Sequence, residues 1–264
     1  MLRRLALMRR PSPRLAEGLV THIDRAPIDL ALARRQWRDY ATLLVAHGWT
    51  VVQAPPADDC PDGVFVEDPV FVYGDLAVLC RSGAPQRRTE RAGLPKILAE
   101  YGYHLARIEA PGTLDGGDVL KHGGRVWVGD AGTAADGTPL GRSDAAGIAQ
   151  LAELLASRAV PVEAVPLLGA LHLKSLVTAL PDGTILGMPS PVTSWSGWPA
   201  VLDVPEPTGA HVVLLGQHTV LMAASAPLTA DLLVGRGLTV VTADISEFEK
   251  LEGCVTCLSV RMRY

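Results

Sequence analysis

Short apolar runs that arrive in pairs limit what this chain can fold into. Val70 to Tyr73 and Leu76 to Cys80 flank Gly74-Asp75, which reads as a hairpin turn. Val119 to Lys121 with Val126 to Val128, Leu176 to Leu180 with Thr184 to Leu186, and His211 to Leu215 with Thr219 to Met222 repeat that layout. Single strands are expected at Thr50 to Gln53, Val64 to Val66, His104 to Ile108, Val160 to Val165 and Thr239 to Thr242, and a last one from Val255 to Met262. Helical periodicity falls between them. Asp29 to Ala46 puts Leu30, Ala33, Trp37, Tyr40, Leu43 and Leu44 on one side, with Asp29 as N-cap and Gly48 as the stop. Arg88 to Tyr101 is a second helix, broken at Pro95. Ala145 to Ser157 and Ala226 to Arg236 are helices, Ile245 to Leu251 is a helical turn, and Pro189 to Pro199 is an irregular loop. Strand pairs with one helix between them recur about every 50 residues, a spacing found in propellers and arrays. No similarity at the residue level links the units. The class is α/β, with too many hairpins for a simple doubly wound sheet.

The 264 residues, 48% of them apolar, suit one large domain or two small ones, and a single domain over 1–264 is expected. Twenty-four basic against 28 acidic side chains leave a formal charge of −4, so there is no broad basic surface for nucleic acid. The cysteines Cys60, Cys80, Cys254 and Cys257 are too few and too unevenly spaced for a disulfide framework, which points to a reducing, cytoplasmic setting. Arg3-Arg4 and Arg9-Arg10 bracket only four apolar residues, too short for an export segment, and read better as a first strand with charged ends. No run approaches the ~18 uninterrupted apolar residues of a membrane span, so neither membrane nor nucleic acid is an expected partner. Oligomeric state is not readable from the sequence.

Several polar residues sit where a core would be built. Glu67 and Asp68 close the apolar run from Val64 to Val66, with Asp62 just before it. Asp115 and Asp118 flank Gly116-Gly117 ahead of a strand, and His172 is inserted among leucines. Near the C-terminus Cys257 lies between a glycine turn and an apolar, β-branched run. Each also reads as ordinary structure: an Asp-Pro turn, a glycine turn, a satisfied core histidine, an inert buried thiol. Together they form a set of nucleophile, base, orienting carboxylate and two further acids for a cation.

Phe65-Val66-Glu67-Asp68, Leu114-Asp115-Gly116-Gly117-Asp118, Leu171-His172-Leu173-Lys174-Ser175 and Thr256-Cys257-Leu258-Ser259-Val260 resemble, in order, the motifs of dimethylarginine dimethylaminohydrolases. These belong to a guanidino-group-modifying superfamily with arginine deiminases and amidinotransferases. The resemblance runs from about Ala6 to Val260. It implies a five-bladed, pseudo-symmetric α/β propeller of ββαβ units. It implies Cys257 as nucleophile, His172 as general acid and base, and Asp115 as its orienting partner. Glu67 and Asp68 would hold the guanidinium and Asp62 the α-amino group, while Arg87 and Arg142 would clamp the α-carboxylate. A backbone carbonyl near Leu251 would touch substrate, under a lid between Arg10 and His22 whose contact residue is Leu19 or Val20. The segment Ala131 to Pro139 matches little in the family.

The expected reaction takes asymmetric dimethylarginine or monomethylarginine to citrulline and dimethylamine or methylamine through a covalent S-alkylthiouronium. A thiolate is a strong nucleophile, carboxylates orient a planar cation, and a histidine serves both proton transfers. The chemistry requires no metal or organic cofactor. Deiminases carry Glu before the glycine pair and Asp two residues after the histidine; Asp115 and Lys174 stand there, which favours a methylated substrate. Alternatives are an arginine deiminase, an amidinotransferase-like enzyme, or a binding protein for dimethylarginine that has no catalysis. Cys254-x-x-Cys257 also reads as a redox pair or half of a zinc site. An apolar strand follows it rather than a helix, and the second ligand pair of a zinc site is missing.

Overall fold

A computed structural model describes residues 4–134 and 140–263. The expected strand start at residues 1–3 and the end of the Ala131 to Pro139 segment lie outside the described residues. Strands β1 (Arg4–Met8) and β2 (Thr50–Gln53) belong to a sheet that the last strand completes. Strands β3 (Val70–Tyr73), β4 (Leu76–Leu79) and β5 (His104–Arg107) form the next sheet, and β6 (Val119–His122), β7 (Arg125–Asp130) and β8 (Val162–Pro166) the one after. Then come β9 (Val177–Ala179), β10 (Ile185–Gly187) and β11 (Val201–Asp203), and β12 (Val212–Leu214), β13 (Thr219–Ala223) and β14 (Thr239–Ala243). Finally β15 (Val260–Arg263) pairs back onto β1.

Among the described residues this makes five three-stranded sheets with one recurring plan. A first strand lies antiparallel to a middle strand, and the middle strand lies parallel to a third. A parallel neighbour needs a crossover. Helices α1 (Leu30–Ala46), α2 (Leu94–Glu100), α3 (Ala145–Ala156) and α4 (Pro227–Gly235) supply it in four sheets, and an irregular stretch supplies it between β10 and β11. A short helix, α5 (Ser246–Glu249), precedes the C-terminal turn.

Strand alternation distributes the core. Leu5 and Leu7 pack toward the β3 sheet, while Ala6 and Met8 pack toward the β12 sheet. Val70 and Val72 face back to β1, and Phe71 faces the β6 sheet. Val119 and Leu120 divide in the same way, as do Ile185 and Leu186. Each sheet is therefore buried on both faces, and the apolar clusters link the sheets in cyclic order.

Helix α1 matches its expected span, and the Asp29 side chain accepts from the Leu32 amide. Four expectations are corrected. Val64 to Val66 is buried turn, not strand, because its backbone bonds run to Asp62 and Val64 within the turn. The last strand begins at Val260, not Val255, so Cys257 lies in a turn closed by its amide on the Cys254 carbonyl. Arg88 to Tyr101 is two elements: a 3-10 stretch at Pro85–Arg91, then α2, with the break at Gly93 (φ 77°). Pro95 opens α2 rather than interrupting it, since the first helical turn needs no amide donor there. Strand β11 emerges from a segment with only a short apolar run, Ala200 to Leu202.

Candidate active site

The candidate residues cluster in the turns that lead into first strands. Glu67 and Asp68 precede β3, Asp115 precedes β6, His172 precedes β9 and Cys257 precedes β15. These turns are drawn together by backbone contacts. The Glu67 amide lies 3.4 Å from the Cys257 carbonyl, and the Gly116 amide donates to the Asp68 carbonyl at 2.9 Å. A side chain at Gly116 would run into the Glu67 carbonyl, and a Cβ at Gly117 would lie 2.5 Å from His172 Nδ1 and 2.6 Å from Asp68 Oδ1. The glycine pair lets the two acidic turns meet around the imidazole.

His172 is 3% exposed, with Nε2 3.2 Å from Asp115 Oδ2. Its Nδ1 is 3.8 Å from Asp68 Oδ1, too long for a hydrogen bond. Burial opposes the imidazolium, but Asp68, Asp118 and Asp115 outweigh it and raise the pKa to about 9. Asp68 accepts from the Gly117 amide (3.1 Å) and from Arg87 Nη1 (2.8 Å). Its carboxyl is held below the usual range: burial opposes this, but His172 and Arg87 prevail. Arg87 is locked in turn by two 2.8 Å bonds to Glu90, whose own pKa burial lifts to about 7.

Cys257 is 8% exposed, and its Sγ is 3.3 Å from Cys254 Sγ. A thiol donating to a thiolate stabilises one negative charge on the pair. The bond to Cys254, burial, and the nearby Glu67 and Asp68 push the second ionisation well up. Glu67 Oε1 is bonded to Lys174 Nζ (2.6 Å) and Arg261 Nη2 (3.2 Å), while its buried Oε2 has no partner among the described residues. Cys257 and His172 thus flank the same Glu67-Asp68 turn.

The remaining candidates lie around this centre. Asp62 is buried and accepts from the Leu19 amide at 3.1 Å to each carboxylate oxygen. Burial raises its pKa, with Arg87 and Arg142 close enough to oppose that. Arg142 Nη1 is 3.9 Å from Asp115 Oδ2 and has no hydrogen-bond partner among the described residues. Leu251 is buried within reach of the backbone at Gly18, and half-buried Val20 packs on the core beside it. Leu19 thus meets an acid, while Val20 packs inward.

Two participants escaped the sequence, and a third, Asp118, stands out there without a role. Buried Asp118 accepts from Ser143 Oγ (2.6 Å) and the Leu173 amide (3.0 Å), bracing the β6 and β9 turns; its place beside the glycine pair was the available signal. Arg261 shares Glu67 with Lys174 and reads in sequence as a strand-end charge. Glu252 accepts from the Thr21 and His22 amides at 2.7 and 2.8 Å, across more than 200 residues of chain, which no local signal could mark. Asp68, Asp115 and His172 also offer ligand atoms within 4.8 Å of one another, the spacing of a metal site. The Arg87 and Arg142 guanidinium groups beside them oppose a dication.

No family model matches the sequence. A dimethylarginine dimethylaminohydrolase of Streptomyces coelicolor is 53% identical over 258 residues, covering 98% of this chain and 96% of that protein. A Pseudomonas aeruginosa protein of the same name is 29% identical over 260 residues, covering 97% and 98%. Among solved structures, a dimethylarginine dimethylaminohydrolase adduct with S-methyl-L-thiocitrulline superposes with a TM-score of 0.89 at 28% identity, covering 99% of this chain and all of that one. A mutant of the P. aeruginosa enzyme complexed with citrulline matches equally, with a TM-score of 0.89.

Proposed function

The chain belongs to the dimethylarginine dimethylaminohydrolase family, and on that premise we propose that it hydrolyses N-omega-methylated arginines to citrulline and a methylamine. The observation that carries this is the placement of Cys257 and His172 on either side of the Glu67-Asp68 turn. Glu67 Oε2 and Asp68 receive the guanidinium and aim its central carbon at the sulfur. Asp62 takes the α-amino group. Arg142, with its open Nη1, takes the α-carboxylate, aided by the hydrogens Arg87 has left. Leu19, on the amide that reaches Asp62, is the lid contact, and the Leu251 carbonyl is the backbone contact to substrate.

The substrate cation offsets Glu67 and Asp68 and so favours the Cys257 thiolate. Sulfur attacks the central carbon and gives a tetrahedral adduct. His172, an imidazolium at neutral pH, protonates the departing amine nitrogen as its bond to carbon breaks. The S-alkylthiouronium remains. Neutral His172 then takes a proton from water, the hydroxide adds to the same carbon, and the C–S bond breaks to release citrulline. Asp115 orients the ring and stabilises its charge throughout.

We also assign the architecture to a five-bladed propeller in one catalytic unit. The cyclic succession of inter-sheet clusters and the pairing of β15 with β1 support it. Free cysteines suit a reducing cytoplasm.

Incubation with dimethylarginine, monomethylarginine and arginine, with citrulline and the released amine measured, tests the assignment. Methylated substrates should turn over faster. Faster turnover of arginine would make the protein a deiminase, and tight dimethylarginine binding without product would make it a binding protein. The Lys174–Glu67 bridge favours the first outcome, because it places a cation where free arginine would want a further carboxylate.

A further inference from the structure

A second charged site lies along the first strands of the sheets. All five first strands line a cavity of about 290 Å³ that runs from the active-site turns at Glu67, Gly116 and Lys174 to the strand ends at His122 and Arg263. Lys121, Lys174, Arg261 and Arg263 line it against the single carboxylate of Glu67, so Lys and Arg side chains outnumber acids four to one. Lys174 and Arg261 share one oxygen of that carboxylate. Lys121 Nζ donates to the Val72 carbonyl at 2.5 Å and sits 5.6 Å over the Phe71 ring, with no acid beside it in the cavity wall. Burial, together with Arg261, Lys174 and Arg263, lowers its pKa to about 7. Lys121 and Arg263 nonetheless keep part of their surface open to solvent and Arg261 is half-buried, so an anion can reach these cations and offset their mutual repulsion.

We propose that this cavity binds a small oxyanion carrying two or more negative charges, held by Lys121, Arg261 and Arg263. Lys121 and Arg263 lie toward the ends of their strands, away from the active-site turns that open them. An anion that draws Arg261 and Lys174 toward it loosens their hold on Glu67, which couples occupancy to substrate affinity; this coupling alone rests on the proposed function.

Inorganic phosphate is the probe, with sodium chloride at matched ionic strength as control, read by titration calorimetry and thermal unfolding of the full chain. Saturable binding and a rise in Tm with phosphate are expected, and Lys121→Met should weaken binding at least tenfold. Arg263→Gln, at the rim, carries the test if Lys121→Met does not fold. The proposal is overturned if phosphate does no more than chloride, or if binding survives both changes. It also fails if Arg142→Gln rather than Lys121→Met removes binding, since the phosphate would then occupy the substrate clamp. None of these readouts depends on turnover.

A separate observation concerns the thiols. Cys254 Sγ and Cys257 Sγ are 3.3 Å apart in one buried turn. The geometry points to Cys254 as a resolving thiol when a hydroperoxide reaches the nucleophile. The Cys257 thiolate attacks the peroxide, the O–O bond breaks, and Cys257 becomes a sulfenic acid as the peroxide is reduced to an alcohol or water. Cys254 then attacks that sulfur, the S–O bond breaks, water leaves, and a disulfide remains. Peroxide-treated protein should lose about 2 Da and recover with dithiothreitol, whereas Cys254→Ser should gain about 32 Da irreversibly as sulfinic acid. Identical adducts and identical recovery in both proteins would overturn the assignment, and Cys254→Ala serves if the serine variant misfolds.

Discussion

The imidazole side of the site and its lid side are held by different means. Around His172 every partner is buried, and two of its three carboxylates have bonds from two elements: Asp68 from Gly117 and Arg87, Asp118 from Ser143 and Leu173. The lid side runs through a 3-10 turn at Leu15–Glu17 into the exposed stretch Thr21 to Arg25. It is tied by the Leu19 amide on Asp62 and by Glu252 on Thr21 and His22. A low-dielectric network positions groups that transfer protons and costs little reorganisation in the reaction. A few partly solvated bonds instead hold the segment that the proposed mechanism uses as its lid. Damage on the first side should therefore appear in kcat, and damage on the second in KM.

The largest effect belongs to the atom both sides serve. Cys257→Ser should abolish product formation while retaining substrate binding, because the hydroxyl stays protonated where the thiol ionises. Calorimetry with dimethylarginine beside a citrulline assay separates the two. Measurable turnover by the serine variant would remove the nucleophile from the scheme.

Within the network, His172→Asn should cost about 10²–10⁴ in kcat. The imidazolium has a folded-state pKa of about 9 against an ordinary 6.5. Its charge therefore stabilises the fold fully below about 6.5, and that contribution fades as pH rises through about 9. Amine departure, which needs the proton, should fail over the same upper range. Asp115→Asn removes one raising influence and should move the alkaline limb of the kcat profile toward neutral. An unmoved limb would mean that another group sets it.

Gly117→Ala sharpens the contrast without touching a charge. Its methyl would crowd both His172 Nδ1 and Asp68 Oδ1. A displacement of about 1 Å costs on the order of a hundredfold, and the loss should fall on kcat. A normal kcat would show that the network yields, contrary to its dense bonding.

How far these features could be read in advance depended on whether they were local. Helix α1, the hairpin at Gly74-Asp75 and the acid-bearing turns carry their causes within a few residues. Val64 to Val66 and Val255 to Ser259 misled because buried turns are as apolar as strands, and only their hydrogen bonds tell them apart. Cys257, His172 and Asp115 stood out as polar residues in apolar surroundings, and family resemblance turned that anomaly into roles. What binds the turns together was hidden, since Asp118 to Leu173 and Glu252 to His22 join segments remote in sequence. Charge in the central cavity was hidden as well: Lys121 and Arg261 look like unrelated strand residues until the sheets bring them to one cavity wall.

The smallest effect tests the lid side. Glu252 occupies a left-handed backbone (φ 60°) and spends one carboxylate on the Thr21 and His22 amides and the Thr21 hydroxyl. Glu252→Ala removes these bonds and keeps the strained backbone, while Glu252→Gly removes them and relieves it. Both should raise KM for dimethylarginine about three- to tenfold, the worth of one or two charge-assisted bonds partly open to water, with kcat within about twofold. The two variants should differ in Tm, glycine being the higher, but not in KM, because the tether rather than the backbone governs the lid. If kcat fell as steeply as in Gly117→Ala, the lid would belong to the rigid side after all, and two modes of support would reduce to one.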